Sequence, residues 1–254
     1  MPIRHLPRAV VTLAGIPFLT FLTSIMAILV VVVLRRPPEA AHRLAIWWAR
    51  TIVRLAGVTV EVQGGEDLVP GQPYIFAANH RSQFDIFALQ GFLGHSFRWL
   101  AKKELFAIPV FGRGMRAAGY IPVDRAHGRA ALVSLAEAAG RIASGVSVII
   151  FPEGTRSRDG RLQPFKAGVM VLALKAGVPV VPVAVAGTYQ ILPKGKLLVN
   201  PGSIAIRIGR PIPTRDRKPA DKQLLADEVR QAVARLLGEE TAPAASDQAG
   251  LQEA

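Results

Sequence analysis

Residues 9–34 contain no charged side chain. At about 1.5 Å per residue, a helix over these 26 residues is about 39 Å long, more than the ~30 Å of a bilayer's hydrocarbon core. A run of this length fits poorly in the interior of a small soluble domain, so it predicts a membrane-associated segment. Gly15 and Pro17 bend or break such a helix, which leaves a re-entrant hairpin as the alternative to a span. A cleaved signal peptide fits less well: the run is too long, and no small-residue cleavage site precedes Arg35-Arg36-Pro37-Pro38. Arg4 and Arg8 precede the run, and Arg35, Arg36, Arg43, Arg50 and Arg54 follow it. For a single span, that bias puts the rest of the chain in the cytoplasm. Residues 1–38 are therefore read as the anchor.

Beyond the anchor, apolar runs of strand length alternate with helical periodicity. Residues 58–62, 74–78, 97–101, 119–123, 146–151, 178–186 and 203–208 read as strands, the last of them nearer the sheet edge. Helical patterns cover 129–144, 166–176 and 221–237, and a further helix begins near Ile86. Residues 40–56 set Leu44, Trp47, Trp48, Ile52 and Leu55 against Arg43, Arg50 and Arg54, the composition of an interfacial amphipathic helix. The alternation predicts a layered α/β/α domain over 39–238 with a largely parallel or mixed sheet, preceded by membrane-associated helices. The tail, 239–254, holds four acids and no base and is expected to be disordered.

Two of these strands run straight into polar clusters. The strand at 74–78 leads into Asn79-His80-Arg81-Ser82-Gln83-Phe84-Asp85. Ser82 is a candidate N-cap, which puts Asp85 in the first helical turn, within reach of one ring nitrogen of His80. The other nitrogen then faces the opening beyond the sheet, the base-and-orienter arrangement of acyl-transfer chemistry. The strand at 146–151 enters Pro152-Glu153-Gly154-Thr155-Arg156-Ser157. Ligands of open α/β sheets gather beyond the strands' carboxyl ends, where both clusters lie.

Taken together, these two motifs resemble the glycerolipid acyltransferase family, and within it the bacterial 1-acyl-glycerol-3-phosphate acyltransferases. The resemblance covers roughly residues 40–215. It implies an enzyme that moves an acyl group from acyl-CoA or acyl-carrier protein to the 2-hydroxyl of lysophosphatidic acid, with His80 as base and Asp85 as its orienter. It assigns Glu153, Gly154, Thr155 and Arg156 to substrate binding. Lys102, after the tryptophan-containing strand, and Arg125, in Tyr120-Ile121-Pro122-Val123-Asp124-Arg125, match family positions that bind the acceptor. Arg156 offers a planar fork suited to phosphate, and Glu153 is expected to orient Arg156 or a lysine rather than move protons. Val180-Val181-Pro182-Val183 resembles a further family block. A phospholipid membrane is the implied partner, and the cytoplasmic face of a bacterial inner membrane the implied location. Another lysolipid, such as a lyso-ornithine lipid, is the alternative acceptor within the family.

The remaining patterns exclude more than they add. The formal net charge is +13, which suits phospholipid headgroups, coenzyme A phosphates or an acidic carrier protein, and on charge alone nucleic acid. The basic residues are scattered, however, and no nucleic-acid motif is present. There is no Cys, hence no thiolate nucleophile and no Cys-type zinc site. A metal-dependent hydrolase built on His80, Asp85 and Glu153 lacks any His pair at ligand spacing, so no metal or other cofactor is expected. Gly112-Arg113-Gly114-Met115-Arg116-Ala117 matches G-x-G-x-x-A, but too few residues precede the next strand to hold a crossover helix. It is read as a Gly-rich connector.

Overall fold

The computed structural model describes residues 6–124 and 129–239. The anchor segment is one helix, α1 (Leu6–Ile28), continued by a π-helical turn at Leu29–Val33. It runs unbroken through Gly15 and Pro17, so no hairpin forms there. Inside this apolar helix, the hydroxyls of Thr12, Thr20 and Ser24 donate to the carbonyls of Arg8, Ile16 and Thr20, one turn back.

Among the described residues, seven strands form one mixed sheet: β1 (Val58–Gly64), β2 (Ile75–Ala78), β3 (Arg98–Lys102), β4 (Ile121–Val123), β5 (Val148–Ile150), β6 (Val180–Ala186) and β7 (Gly202–Ile208). Their order is β1-β7-β6-β2-β5-β3-β4. The run β6-β2-β5-β3-β4 is parallel, β7 is antiparallel to β6, and β1 is parallel to β7. β7 is therefore not an edge strand; β1 and β4 are. The reversal also puts the starts of β1 and β7 at the edge where the parallel strands end.

Strand alternation sorts side chains into two cores. Phe76, Ala78, Ile149, Val181, Val183 and Val185 face α2 (Pro38–Leu55) and α3 (Phe84–Phe92). Ile75, Ala77, Val148, Ile150, Val180 and Ala184 face α5 (Arg129–Ala143), α6 (Ala167–Ala176) and, beyond the short α7 (Thr188–Ile191) in the chain, α8 (Lys222–Leu237). The central strands are buried on both sides, as parallel sheets covered by helices must be. Each large apolar side chain so buried stabilises the fold by about 1.5–3 kcal/mol relative to exposure. The result is the expected α/β/α sandwich.

α1 lies along the first of these layers. Ile16 and Leu19 pack on the α2–α3 core, and the indole N–H of Trp48 donates to Thr20 Oγ1 at 3.1 Å. The Gly-rich segment at 112–117 corrects the connector reading: it lies in a short helix, α4 (Phe111–Ala117). Its glycines bring backbones together, since a Cβ at Gly114 would sit 2.9 Å from the Cα of Ser24 in α1. The outward side of α1 exposes Val10, Phe18, Phe21 and Ile25, and this is the one helix among the described residues long and apolar enough to cross a membrane. The chain is in this respect membrane-associated in character. The acidic tail beyond Glu239 lies outside the described residues.

Candidate active site

β2 ends at Ala78, and the next residue continues its ladder with a side chain. The amide of Asn79 donates to Val185 O at 2.9 Å and accepts from Val185 N at 2.7 Å. This fixes the strand exit against β6 and delivers His80 to the sheet's carboxyl edge. α3 begins at Phe84, two residues beyond Ser82. The Ser82 hydroxyl nonetheless accepts from Phe84 N at 3.1 Å, a capping contact, while it donates to Leu192 O at 2.7 Å.

Asp85 lies in the first turn of α3 and is fully buried. Three donors converge on its Oδ2: His80 Nδ1–H at 2.8 Å, Arg81 N–H at 2.7 Å and Ser82 N–H at 2.9 Å. With Nδ1–H committed to the carboxylate, the lone pair of His80 is on Nε2, the nitrogen left for chemistry. One face of the imidazole is covered by Phe151, ring centroids 3.8 Å apart and planes 9° from parallel. Trp99 continues the stack beyond Phe151. The ring is thus held at its edge by Asp85 and on its face by an aromatic.

The second motif holds the backbone of the first. His80 N–H donates to Glu153 Oε1 at 2.6 Å, and Ser157 N–H donates to the carbonyl of His80 at 2.8 Å. The other oxygen of Glu153 accepts from Gln163 N–H at 3.2 Å. This corrects the sequence expectation for Glu153: it grips two backbone N–H groups and orients neither Arg156 nor a lysine. Burial pushes its carboxyl up from 4.5 to about 7, the N–H bonds from His80 and Gln163 opposing the shift.

That shift has a testable sign. A carboxyl whose folded pKa lies above its unfolded value adds stability below about pH 4.5, and the contribution is lost as pH rises through about 7. With Glu153→Gln as the non-titrating reference, the stability of the parent relative to the variant should fall by roughly 3 kcal/mol over that window. Urea unfolding at a series of pH values measures it, and a pH-independent difference contradicts the assignment.

Gly154 has φ +76°, and a Cβ there would lie 3.0 Å from Cε and Nζ of Lys166. Glycine is required for the turn and for the close approach of that lysine. Thr155 is exposed and Arg156 half-buried. The guanidinium of Arg156 makes no hydrogen bond or ion pair among the described residues, whereas its carbonyl accepts from Lys194 Nζ at 3.0 Å. Lys194 also donates to Thr155 Oγ1 at 3.2 Å. Lys166 and Lys194 add two cations to the second motif that the motif itself does not announce.

The structure therefore gathers His80, Asp85, Glu153, Gly154, Thr155 and Arg156 at one sheet edge. Lys102 ends β3, on the far side of β5 from His80, and pairs with Glu104 at 3.7 Å. Its neighbour Lys103 pairs with Asp124. Arg125 lies outside the described residues. Beside Phe151 and Gly154 opens a largely apolar cavity of about 320 Å³, walled by Leu100, Val123, Leu135, Ile150, Val169 and Leu172, with Asp124 and Lys166 as its polar corners. Among the described residues, no three His, Asp or Glu side chains are grouped to hold a metal ion.

This geometry can be set beside known proteins. The Acyltransferase family model matches residues 59–186. The chloroplastic 1-acyl-sn-glycerol-3-phosphate acyltransferase BAT2 of Brassica napus is 37% identical over 76% of this chain and 55% of its own. The 1-acyl-sn-glycerol-3-phosphate acyltransferase alpha of Ovis aries is 35% identical over 70% of this chain and 63% of its own. The chain spans about half the length of the first relatives it matches. The crystal structure of the 1-acyl-sn-glycerophosphate (LPA) acyltransferase PlsC from Thermotoga maritima superposes with a TM-score of 0.71 at 27% identity, covering 92% of this chain and 98% of that one.

Proposed function

The chain belongs to the Acyltransferase family, and we propose that it transfers a fatty acyl group from an acyl thioester to the 2-hydroxyl of 1-acyl-glycerol-3-phosphate, giving phosphatidic acid. The observation that carries this reading is the Asp85-anchored His80 at the sheet's carboxyl edge, its Nε2 left without a hydrogen bond among the described residues, in a site whose second motif brings Arg156, a guanidinium without a protein partner among the described residues. Named relatives that act on this acceptor support the choice of substrate.

The acceptor hydroxyl gives its proton to His80 Nε2 as its oxygen attacks the thioester carbonyl carbon. Asp85 stabilises the imidazolium that forms. Collapse of the tetrahedral intermediate breaks the C–S bond, and the departing thiolate takes the proton from His80. The C–O ester bond is formed, His80 is restored, and no enzyme nucleophile, metal or other cofactor is consumed. Acyl-CoA or acyl-carrier protein is the co-substrate, and the apolar cavity beside Phe151 suits a hydrocarbon chain.

α1 packs along the domain from Ile16 to Ser24 and exposes its other side. We place that side in the lipid of one leaflet, with Arg35, Arg36, Arg43, Arg50 and Arg54 drawn to anionic headgroups. The cytoplasmic face of a bacterial inner membrane is such a surface.

Arg156, with Lys166 and Lys194 near the same turn, is assigned the acceptor phosphate; Lys102 and Arg125 are assigned to the acceptor by resemblance. A guanidinium grips phosphate through two bonds where a lysine acts as a point charge. Arg156→Lys should therefore lower kcat/KM for lysophosphatidic acid by about ten- to a hundred-fold and change the KM of the acyl donor much less. The comparison acceptors are a monoacylglycerol and a lyso-ornithine lipid, which lack the phosphate. Both should be poor substrates for the parent, and Arg156→Ala should slow them little further. Equal losses on all three acceptors would show that Arg156 holds the fold or the donor instead.

A further inference from the structure

We infer that the loop at 193–200 is a second membrane contact, which inserts Leu197 and Leu198 into an anionic phospholipid surface at the mouth of the active site. The inference rests on the membrane-bound reading above. Leu197 is 70% exposed and Leu198 41% exposed, although the loop around them is pinned on every side. Leu192 O, at its start, accepts from Ser82 of the first motif. Lys194 bonds Thr155 and the carbonyl of Arg156 in the second motif. Val199 is buried in the core, and Asn200 N donates to Ile191 O at 2.9 Å. A loop so held presents its two leucines to solvent in a fixed place, and adjacent apolar exposure of this kind marks an interaction surface.

Charge and position identify the partner. Lys196 is exposed beside the leucines, and the chain carries +13 overall, a combination that matches apolar insertion beneath anionic headgroups. The loop leaves the carboxyl end of β6, on the edge that carries His80, and its anchors Ile191, Leu192 and Val199 belong to the same core layer on which α1 packs. Its far end enters β7 at Gly202, which pairs with Val58. Gly57, the residue before, lies against Arg8 near the start of α1, where a Cβ would run into the Arg8 guanidinium. The loop and the beginning of α1 thus share one end of one face, so a bilayer that receives the outer side of α1 meets the leucines too. An acceptor lipid in that bilayer then has its headgroup at the level of Arg156.

Because the chain has no Cys, single cysteines can be placed and labelled cleanly. The full-length variants Phe18→Cys in α1, Leu197→Cys in the loop and Leu224→Cys on α8, in the opposite layer, carry a polarity-sensitive fluorophore. They are mixed with phosphatidylcholine–phosphatidylglycerol vesicles that contain chain-spin-labelled lipid. Labels at 18 and 197 should shift to the blue and be quenched, and the label at 224 should do neither. A response at 18 without one at 197, or equal responses at 197 and 224, overturns the inference and leaves the anchor reading standing. Silence at both 18 and 197 overturns the two together. In parallel, Leu197→Ser with Leu198→Ser should lower kcat/KM for lysophosphatidic acid in vesicles about ten-fold or more, yet change it less than about two-fold for a short-chain analogue dissolved as monomer. Equal losses in the two assays mean that the leucines support the site itself, which also overturns the proposal.

Discussion

His80→Ala should reduce turnover by about a thousand- to ten-thousand-fold while leaving the protein folded and membrane-bound. General-base catalysis contributes about 10²–10⁴ in rate, and no other described side chain occupies the place of Nε2. The loss belongs in kcat, because the imidazole acts as the hydroxyl attacks. Folding should be nearly untouched. The side chain is partly exposed, and the contacts that fix the loop, His80 N–H to Glu153 and Ser157 N–H to His80 O, use the backbone that alanine retains. A melting temperature within a few degrees of the parent, together with unchanged sedimentation with vesicles, separates lost chemistry from lost structure.

Asp85→Asn should cost less than the same change in a serine-protease triad. There the loss is about ten-thousand-fold, because the amide forces the wrong histidine tautomer. Here two backbone N–H groups, of Arg81 and Ser82, point at the same oxygen that receives His80 Nδ1–H. An amide NH₂ in that place would face three donors, so the asparagine oxygen takes it and the tautomer is kept. What disappears is the negative charge that stabilises the imidazolium, which predicts a loss of about a hundred- to a thousand-fold in kcat. The amide nitrogen then falls where Asp85 Oδ1 is buried without a partner among the described residues, so a stability cost of about 1–3 kcal/mol accompanies the change. Asp85→Ala removes all three acceptor contacts and should be the more damaging variant in both respects. Asp85→Asn turnover as low as that of His80→Ala would mean that the tautomer is lost after all.

The elements that carry these side chains were legible because their signals are local. An apolar run that ends in a polar cluster marks a strand exit, and a five-residue spacing from His80 to Asp85 needs only one turn to close. The support for the site is not local. Glu153 reaches His80 across 73 positions, Asn79 reaches Val185 across 106, and Lys194 reaches Thr155 across 39. Nothing in the pattern around Glu153 says that its carboxylate serves backbone N–H groups rather than a neighbouring arginine. α4 went unseen for another reason. Seven residues with two glycines and no side-chain cap give no helical periodicity, and their purpose is visible only against α1. Pro17 leaves the local signal ambiguous, since proline is a breaker on average, yet α1 passes through it and remains docked on α2 and α4. β7 alternates like an edge strand but lies inside the sheet, because β1, from the far end of the domain's sequence, pairs along its whole length.

The central claim is tested most directly by following acyl-CoA and purified protein with 1-acyl-glycerol-3-phosphate, measuring thiol release and identifying the lipid product. The parent should release one thiol per molecule of phosphatidic acid formed, with the new ester at the 2-position, and His80→Ala should form neither above background. Stoichiometric phosphatidic acid from a folded His80→Ala protein, or thiol release by the parent without any acylated lysophosphatidic acid, would contradict the account.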